Sequence, residues 1–319
     1  MKCCMAHMTM CLGGLPLEID THHTRYDGVS RFSKSYLTDA IIVDRSCSPD
    51  ATVLYLAKDD GFFLKRAKGG HLAHEAALTA YFHGLDLAPD VLLYERENDL
   101  DWLLTKRLLG DDLRHPVYLK TPQRLATSMG SWLRELHAHD ATTCPAQGQS
   151  AWLFERALKN RAHGHFKGDF YPASWSFPNA DRAWSIIVDG LPWLQDDTLL
   201  HGDFCLPNII ADNWQLTGYI DLDTAGVGDR HYDLFWALWT LHYNLGTARY
   251  GQALLDAYGR DKLEREKLDV VAALITYTGD SMRATSQSAR RHDDDARWSV
   301  LEHLVERAPA DAGHGFATP

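Results

Sequence analysis

One segment restricts the fold of this chain more than any other: residues 201–208, with the sequence HGDFCLPN, followed by Asp221. Apolar residues 198–200 precede the segment and apolar residues 209–211 follow it. A polar turn then leads into a second apolar run, which ends at Asp221. This order predicts a strand, a loop and a β-hairpin with a carboxylate at its end. The fold must therefore bring the polar loop and Asp221 together.

The residue types in this segment are typical of a phosphoryl-transfer centre. In kinases, an Asp orients the acceptor hydroxyl, and an Asn five residues later and an Asp on a nearby strand hold magnesium. Magnesium prefers oxygen ligands, which Asn and Asp side chains provide. We therefore predict Asp203 as the catalytic residue and Asn208 and Asp221 as metal ligands. The alternative is an ordinary surface loop of similar composition, and the two flanking strand patterns favour the functional interpretation.

Together with the run at residues 226–234, GVGDRHYDL, this segment resembles the aminoglycoside O-phosphotransferase family, close to its 3′-hydroxyl-modifying branch. The resemblance extends from about Ser48 to about Tyr277 and is densest between Thr198 and Tyr258. It implies an α+β, protein-kinase-like bilobal fold with a small, mainly β N-lobe and a larger, mainly α C-lobe. It also implies ATP, or alternatively GTP, with Mg²⁺ as cofactors, and a role in antibiotic resistance.

The first third of the chain predicts a small β-rich lobe that ends near Leu108. A polar hairpin signal at residues 58–61 joins two of its strands, and an amphipathic helix follows at residues 71–83. Residues 106–110 are interpreted as a hinge between the lobes. The predicted strands are residues 40–43, 52–56, 62–65, 91–94 and 102–105.

Lys65 closes the third predicted strand, where a lysine is usually just solvated. The resemblance implies instead that Lys65 contacts the nucleotide phosphates and is held by Glu75 on the next helix. It also implies that the turn at Ser48 covers the phosphates, although that turn is not rich in glycine. The same resemblance places backbone groups near Thr105 and Leu108 against the adenine. We therefore predict that these five residues bind the nucleotide.

The rest of the chain predicts a helical lobe. Residues 226–229 are predicted to form a turn. Asp229 and Asp233 are expected to brace the segment 201–208, called the catalytic loop below, or to cap a helix. His163 and His165 fit an ordinary solvated loop better than a metal site. The predicted helices are residues 122–137, 152–163, 181–189, 233–245, 250–258 and 261–277. The predicted domains are an N-terminal arm at 1–36, the N-lobe at 37–108, the C-lobe at 109–280 and a C-terminal tail at 281–319.

The charge of the chain limits its partners. The net charge is −11, which disfavours nucleic acid and favours a cationic small molecule such as an aminoglycoside in a negative cleft. No stretch approaches the ~20 consecutive apolar residues of a membrane span, and the six scattered cysteines form no disulfide framework. We expect a soluble, cytoplasmic protein that does not bind membranes. The oligomeric state is left open.

The sequence departs from the family in the residues that are expected to bind the acceptor. Relatives hold polycationic sugars with carboxylates, but here the corresponding places contain Thr247, Ala248 and residues 274–277. A kinase of another small alcohol, amino alcohol, sugar or antibiotic is therefore the main alternative. A nucleotide-binding pseudokinase is the third hypothesis. It is the weakest, because the predicted catalytic and metal residues are all present together with Lys65.

Overall fold

The computed structural model describes residues 35–47, 49–168, 177 and 179–278. Five strands form an antiparallel sheet in the order β1-β2-β3-β5-β4. They are β1 (Ile41–Asp44), β2 (Ala51–Ala57), β3 (Phe62–Lys68), β4 (Val91–Glu97) and β5 (Leu100–Lys106). All five predicted strands are therefore confirmed. The prediction that Lys65 closes its strand is wrong, because β3 stays paired with β5 as far as Lys68.

Lys65 consequently lies in the middle of the central strand of the sheet. It is opposite Val53 on one side and Leu103 on the other. Leu64 and Leu104 are buried in an apolar cluster on one face of this sheet. Because side chains alternate along a strand, Lys65 projects from the opposite face. On that face Leu103 belongs to a separate cluster, which also includes side chains near the start of the next helix.

That helix, α1 (Ala73–His83), begins against the sheet. The carboxylate of the fully buried Asp101 on β5 accepts a hydrogen bond of 2.8 Å from the backbone N–H of Leu72. The first N–H groups of a helix have no partner within it, so this contact satisfies one of them and ties the helix to the sheet. Glu75 is thereby presented in the first turn.

The second lobe is mainly helical. In helix α6 (His231–Leu245) the first eleven residues are all buried, so this helix is the centre of the lobe. The predicted helices are confirmed with small shifts at their ends, except that the last one begins only at Arg265, after a short 3₁₀ helix at Arg260–Lys262. The helices are α2 (Pro116–Leu119), α3 (Pro122–Leu136), α4 (Gln149–Ala162), α5 (Ala180–Gly190), α6 (His231–Leu245), α7 (Gly251–Tyr258) and α8 (Arg265–Thr278).

Two small antiparallel sheets hold the ends of the segment 201–208. Before the segment, β7 (Thr198–Leu200) pairs with β10 (Gly226–Gly228). After it, β8 (Ile209–Asp212) pairs with β9 (Gln215–Tyr219) and with β6 (Asp111–Asp112). The prediction of a simple turn at residues 226–229 is thus wrong for its first three residues. Glycine-rich local sequence suggested a turn, but the pairing with a strand 26 residues earlier decides the conformation.

None of the helices in the described ranges is long and apolar enough to cross a membrane. The predicted N-terminal arm and C-terminal tail fall almost entirely outside the described residues, as do the first three cysteines. In the described part, the sheet ends at Lys106 and the helical lobe follows from Asp111 onward. The division of the chain into lobes at Leu108 stays a prediction.

Candidate active site

Gly202 allows the loop after β7 to pass directly beneath the segment that follows Asp221. Its φ angle is +80°, and a Cβ atom at this position would lie 1.9 Å from the backbone oxygen of Thr224. A side chain is therefore excluded on two grounds, the left-handed backbone and the missing space. The close approach brings the loop that carries Asp203 against the chain that carries Asp221.

Asp233 holds the backbone of the loop that carries Asp203. This residue lies in the first turn of α6 and is fully buried. Its Oδ2 atom accepts a hydrogen bond of 2.7 Å from the His201 N–H, and its Oδ1 atom accepts one of 2.8 Å from the Gly202 N–H. The prediction that Asp233 braces the loop is confirmed. Asp229 instead accepts from the backbone N–H groups of Gln195 and His231.

Asp203 and Asn208 are joined within the loop, and both are completely buried. The Asn208 Nδ2 atom donates to the Asp203 carboxylate at 3.0 Å and to the Asp203 backbone oxygen at 2.9 Å. Because both acceptors are oxygens, the amide orientation is determined. The Asn208 Oδ1 atom is then buried with no hydrogen-bond partner among the described residues. A buried acceptor of this kind requires an explanation, and a cation supplies one.

The backbone connects this pair to the hairpin. The Asn208 carbonyl accepts a hydrogen bond of 3.0 Å from the Ile220 N–H, the residue before Asp221. Asp221 itself has a φ angle of +61°, which is uncommon for a residue other than glycine. Such conformations concentrate at functional sites, where the surrounding structure imposes them. The two predicted metal ligands are therefore brought together by direct backbone contact between their segments.

Lys65 lies between two carboxylates. Its Nζ atom is 2.8 and 2.7 Å from the two Glu75 oxygens and 2.7 Å from Asp221 Oδ1. Burial lowers the pKa of Lys65, but the charges of Asp221 and Glu75 outweigh it and hold the pKa well above its usual value. Burial raises the pKa of Glu75 to about 7, against the opposing effect of Lys65. The ammonium is therefore fixed in position and fully charged at neutral pH.

The donor set fits magnesium. Asn208 and Asp221 offer hard oxygen ligands, and the buried Asn208 Oδ1 atom has no other partner among the described residues. In the part of the chain that the structure describes, no group of three His, Cys, Asp or Glu side chains surrounds a common point. Magnesium in phosphoryl-transfer sites commonly takes one or two protein ligands and completes its shell with phosphate oxygens and water. The two oxygen donors match that pattern.

A cleft of about 1180 Å³ opens above these residues. Of the predicted nucleotide-binding residues, it is lined by Lys65, Glu75, Thr105 and Leu108. Ser48 lies outside the described residues, although its neighbour Cys47 lines the cleft. Asp221 also lines the cleft, whereas Asp203 and Asn208 do not and belong to the buried loop beneath it. The structure thus brings the predicted residues it describes to one cleft and its floor.

The cleft does not carry the excess of negative charge that the sequence led us to expect. Six lysines and arginines line it, but so do six aspartates and glutamates. The net charge of −11 is therefore not concentrated in this cleft. The basic residues are Arg45, Lys65, Lys106, Arg107, Arg114 and Lys120, and the acidic residues are Asp50, Glu75, Asp111, Asp112, Asp221 and Asp223.

Sequence reasoning missed Tyr243 and Asn244, which also line the cleft at the end of α6. The Asn244 Nδ2 atom donates to the Thr240 carbonyl at 2.8 Å, and the Thr240 hydroxyl accepts from the Leu206 N–H at 3.2 Å. The end of α6 is thereby joined to the catalytic loop. The available signal was helical spacing, because positions 240, 243 and 244 share one face of a helix.

Comparisons with known proteins show what this chain is similar to. Residues 48–270 match the model of the phosphotransferase enzyme family. The chain is similar to a probable aminoglycoside 3′-phosphotransferase of Lactococcus lactis subsp. lactis, with 41% identity over 235 residues. That match covers 74% of this chain and 89% of the relative.

Solved structures share the fold. The crystal structure of an aminoglycoside-3′-phosphotransferase of type VIII superposes with a TM-score of 0.63 at 22% identity, covering 78% of this chain and all of the other. An aminoglycoside phosphotransferase from Streptomyces rimosus, in complex with ADP and streptomycin, gives a TM-score of 0.60 at 20% identity. It covers 71% of this chain and 90% of that one. At these identities the likeness supports the α+β, protein-kinase-like fold.

Proposed function

Because this chain belongs to the phosphotransferase enzyme family, we propose that it transfers the γ-phosphate of ATP to a hydroxyl group of an aminoglycoside, in the first instance the 3′-hydroxyl. The observation that carries this proposal is the contact between Asp203 and Asn208, directly beneath a cleft that holds Lys65 and Asp221. Base, phosphate-binding cation and metal ligands thus occupy one small volume. This is the arrangement that phosphoryl transfer requires.

Asp203 is proposed to orient the acceptor hydroxyl and to accept its proton. Asn208 donates to one of its carboxylate oxygens, and Asp233 holds the backbone of the two preceding residues. The carboxylate is thereby positioned before the substrates bind. Positioning of this kind contributes strongly to a reaction whose transition state involves little covalent chemistry by the protein.

Lys65 is proposed to bind the phosphates of the nucleotide. Glu75 holds the ammonium with both carboxylate oxygens, so Lys65 can turn its charge from Asp221 towards a phosphate without losing its anchor. Thr105 and Leu108, together with the turn at Ser48, are proposed to surround the rest of the nucleotide. The similar Streptomyces rimosus enzyme was solved in complex with ADP, which supports a nucleotide as the ligand.

Asn208 and Asp221 would hold the magnesium ion. When bound there, magnesium neutralises charge on the phosphate oxygens as the phosphoryl group moves. The protein contributes the orientation of its two ligands: the Asn208 amide is turned by Asp203, and the Asp221 carboxylate is held by Lys65.

The acceptor is supported by the named relative and by the overall negative charge, which attracts a polycation. Another small alcohol is the second candidate. It is favoured by the mixed charges of the cleft and by the uncharged side chains of Tyr243 and Asn244 in its wall. Because Tyr243 and Asn244 carry no charge, this part of the wall should bind a highly charged aminoglycoside more weakly than a wall with carboxylates would.

The decisive experiment incubates the purified protein with ATP, Mg²⁺ and a kanamycin-type aminoglycoside, and follows both ADP release and the mass of the acceptor. We expect a product heavier by one phosphoryl group. An otherwise identical drug without the 3′-hydroxyl is the matched control and should remain unmodified. Phosphorylation of a panel of other small alcohols but of no aminoglycoside would replace the first candidate with the second.

A further inference from the structure

A chain of buried hydrogen bonds connects the catalytic loop to a tyrosine outside the cleft. The His137 Nε2 atom lies 3.2 Å from Asp233 Oδ2, and the His137 Nδ1 atom lies 2.8 Å from the hydroxyl of Tyr258. His137 follows the last residue of α3, and Tyr258 ends α7. The side chain of His137 is 3% exposed, and Tyr258 is fully buried. Neither residue lines the cleft.

The chemistry of the partners determines where the protons are. The Asp233 carboxylate can only accept hydrogen bonds, so His137 Nε2 must carry a proton. Burial lowers the pKa of His137, and Asp233 only partly opposes this effect, so the ring is neutral at neutral pH. The Nδ1 atom is therefore an acceptor, and the Tyr258 hydroxyl must be its donor. Burial also raises the pKa of Tyr258, with Arg230 opposing it, which keeps that hydroxyl protonated.

The contacts therefore have a direction: Tyr258 donates to His137, His137 donates to Asp233, and Asp233 accepts from the loop. We propose that Tyr258 and His137 are positioning residues for the catalytic loop, because they determine how the Asp233 carboxylate holds the backbone N–H groups of His201 and Gly202. This inference rests on the proposed function only for its effect on turnover. Its effect on the loop itself is independent of the substrate.

Loss of the Tyr258 hydroxyl should loosen the catalytic loop. Without the Tyr258 hydroxyl, a buried Nδ1 atom has lost its donor, and the ring can rotate or exchange its proton to find another partner. Either change weakens the Nε2 contact that orients Asp233. The two loop N–H groups would then open more often, and the carboxylate of Asp203, one residue further on, would be held less tightly.

The test compares Tyr258→Phe with Tyr277→Phe in the full chain. Tyr277 is also buried, and its hydroxyl donates to the backbone oxygen of Ala180 in a different part of the helical lobe. Both variants lose one buried hydroxyl, so both should unfold at a lower temperature. Only Tyr258→Phe should accelerate amide hydrogen exchange at His201 and Gly202, by roughly tenfold. Equal exchange at these two amides in the two variants would overturn the proposal.

Turnover provides the second measurement. In Tyr258→Phe, kcat should fall about five- to twentyfold, while KM for ATP stays within about twofold, because the nucleotide residues are untouched. His137→Leu should lose more activity. His137→Gln should recover most of it, since its amide nitrogen can replace Nε2 as a donor to Asp233. A glutamine variant no better than the leucine variant would overturn the donor role of His137.

The two proposals fail in different ways. If the exchange of the loop amides responds as expected but the wild-type protein phosphorylates no aminoglycoside, the positioning role stands and the proposed acceptor is wrong. If the wild-type protein is active and neither exchange nor kcat responds to Tyr258→Phe, the positioning role is wrong and the proposed function stands.

Discussion

The two halves of the candidate active site are held together by different interactions. The upper half is the set of residues that line the cleft. Its side chains Lys65 and Asp221 are 20% and 16% exposed, and the contacts are between full charges. In the lower half, Asp203, Asn208 and Asp233 are completely buried, and the contacts are hydrogen bonds to backbone groups, amides and an imidazole. The upper half can exchange its partners for phosphate and metal. Water cannot replace a lost partner of the buried groups in the lower half, so the loss of one hydrogen bond disturbs the geometry of the loop.

Because of this difference, substitutions in the two halves should have different effects. Lys65 and Asp221 are partly exposed, so water, phosphate or metal can replace a lost partner of these two side chains at moderate cost. A buried polar group that loses its partner has no such compensation, and the penalty is larger. Variants of the lower half should therefore affect both stability and turnover, whereas variants of the upper half should mainly affect binding of the nucleotide and the metal.

The largest effect is expected from Asp203→Ala, which removes the proposed base from the lower half. We expect kcat to fall by about a thousandfold, since general-base catalysis contributes roughly 10²–10⁴. The dissociation constant for ADP, measured by calorimetry, should stay nearly unchanged. Asp212→Asn, an exposed carboxylate at the end of β8, is the matched control and should retain activity. Near-normal turnover of the alanine variant would exclude Asp203 as the base.

Asp233→Asn tests whether the lower half depends on a buried charge. The variant keeps the shape but weakens the acceptor of three hydrogen bonds, from His201, Gly202 and His137. Since hydrogen bonds to charged groups contribute about 1.5–3 kcal/mol each, we expect unfolding to become easier by about 3 kcal/mol. Denaturation in urea measures this change. A variant as stable as the wild type would show that the loop is held by packing alone.

Alanine substitutions at Lys65 and Glu75 test whether these two residues of the upper half act as a pair. Each alanine substitution should lower kcat/KM for ATP by about ten- to a hundredfold, since Lys65→Ala removes the ammonium and Glu75→Ala removes the carboxylate that positions it. The double variant should be hardly worse than the single variants, because the two residues act as one unit. Fully additive losses would mean that Glu75 does not act through Lys65.

Asp221→Asn should show that the upper half also holds the metal. The amide keeps the oxygen but loses the charge, so the concentration of Mg²⁺ needed for half-maximal ATP turnover should rise by about tenfold. A titration of Mg²⁺ at constant ATP measures this shift. Asp111→Asn changes an exposed carboxylate that lines the same cleft and serves as the control. If both variants show the same metal requirement as the wild type, the ligands are elsewhere.

The smallest effect concerns acid stability of the lower half. The pKa of His137 is lowered by burial, with Asp233, Arg230 and Lys262 as the charged groups that act on it. The unfolded chain therefore binds a proton near pH 6.5 that the folded protein does not. Stability from this residue is complete above pH 6.5 and declines below it, by at most about 1.4 kcal/mol per pH unit. Thermal melts from pH 5 to pH 7.5 should show a shallower acid-side decline in His137→Gln.

The sequence alone was enough to locate the candidate site. Asp203, Asn208 and Asp221 could be singled out as candidates because residue type and spacing, together with the strand patterns beside them, are local properties of the chain. The five strands and most helices were predicted for the same reason, since their periodicities arise within a few residues. The pairing of Lys65 with Glu75 came from the family resemblance, and the structure places both at 2.7–2.8 Å.

How these groups are held depends on contacts between distant parts of the chain. The strand at residues 226–228, the face of Tyr243 and Asn244 towards the cleft, and the chain from Tyr258 through His137 to Asp233 all join segments that are distant in sequence. Whether a buried polar group finds a partner depends on which elements pack against it, and this is a property of the whole fold. For that reason the sequence predicts which residues form the candidate site, while the contacts made in the folded protein determine what keeps them in place.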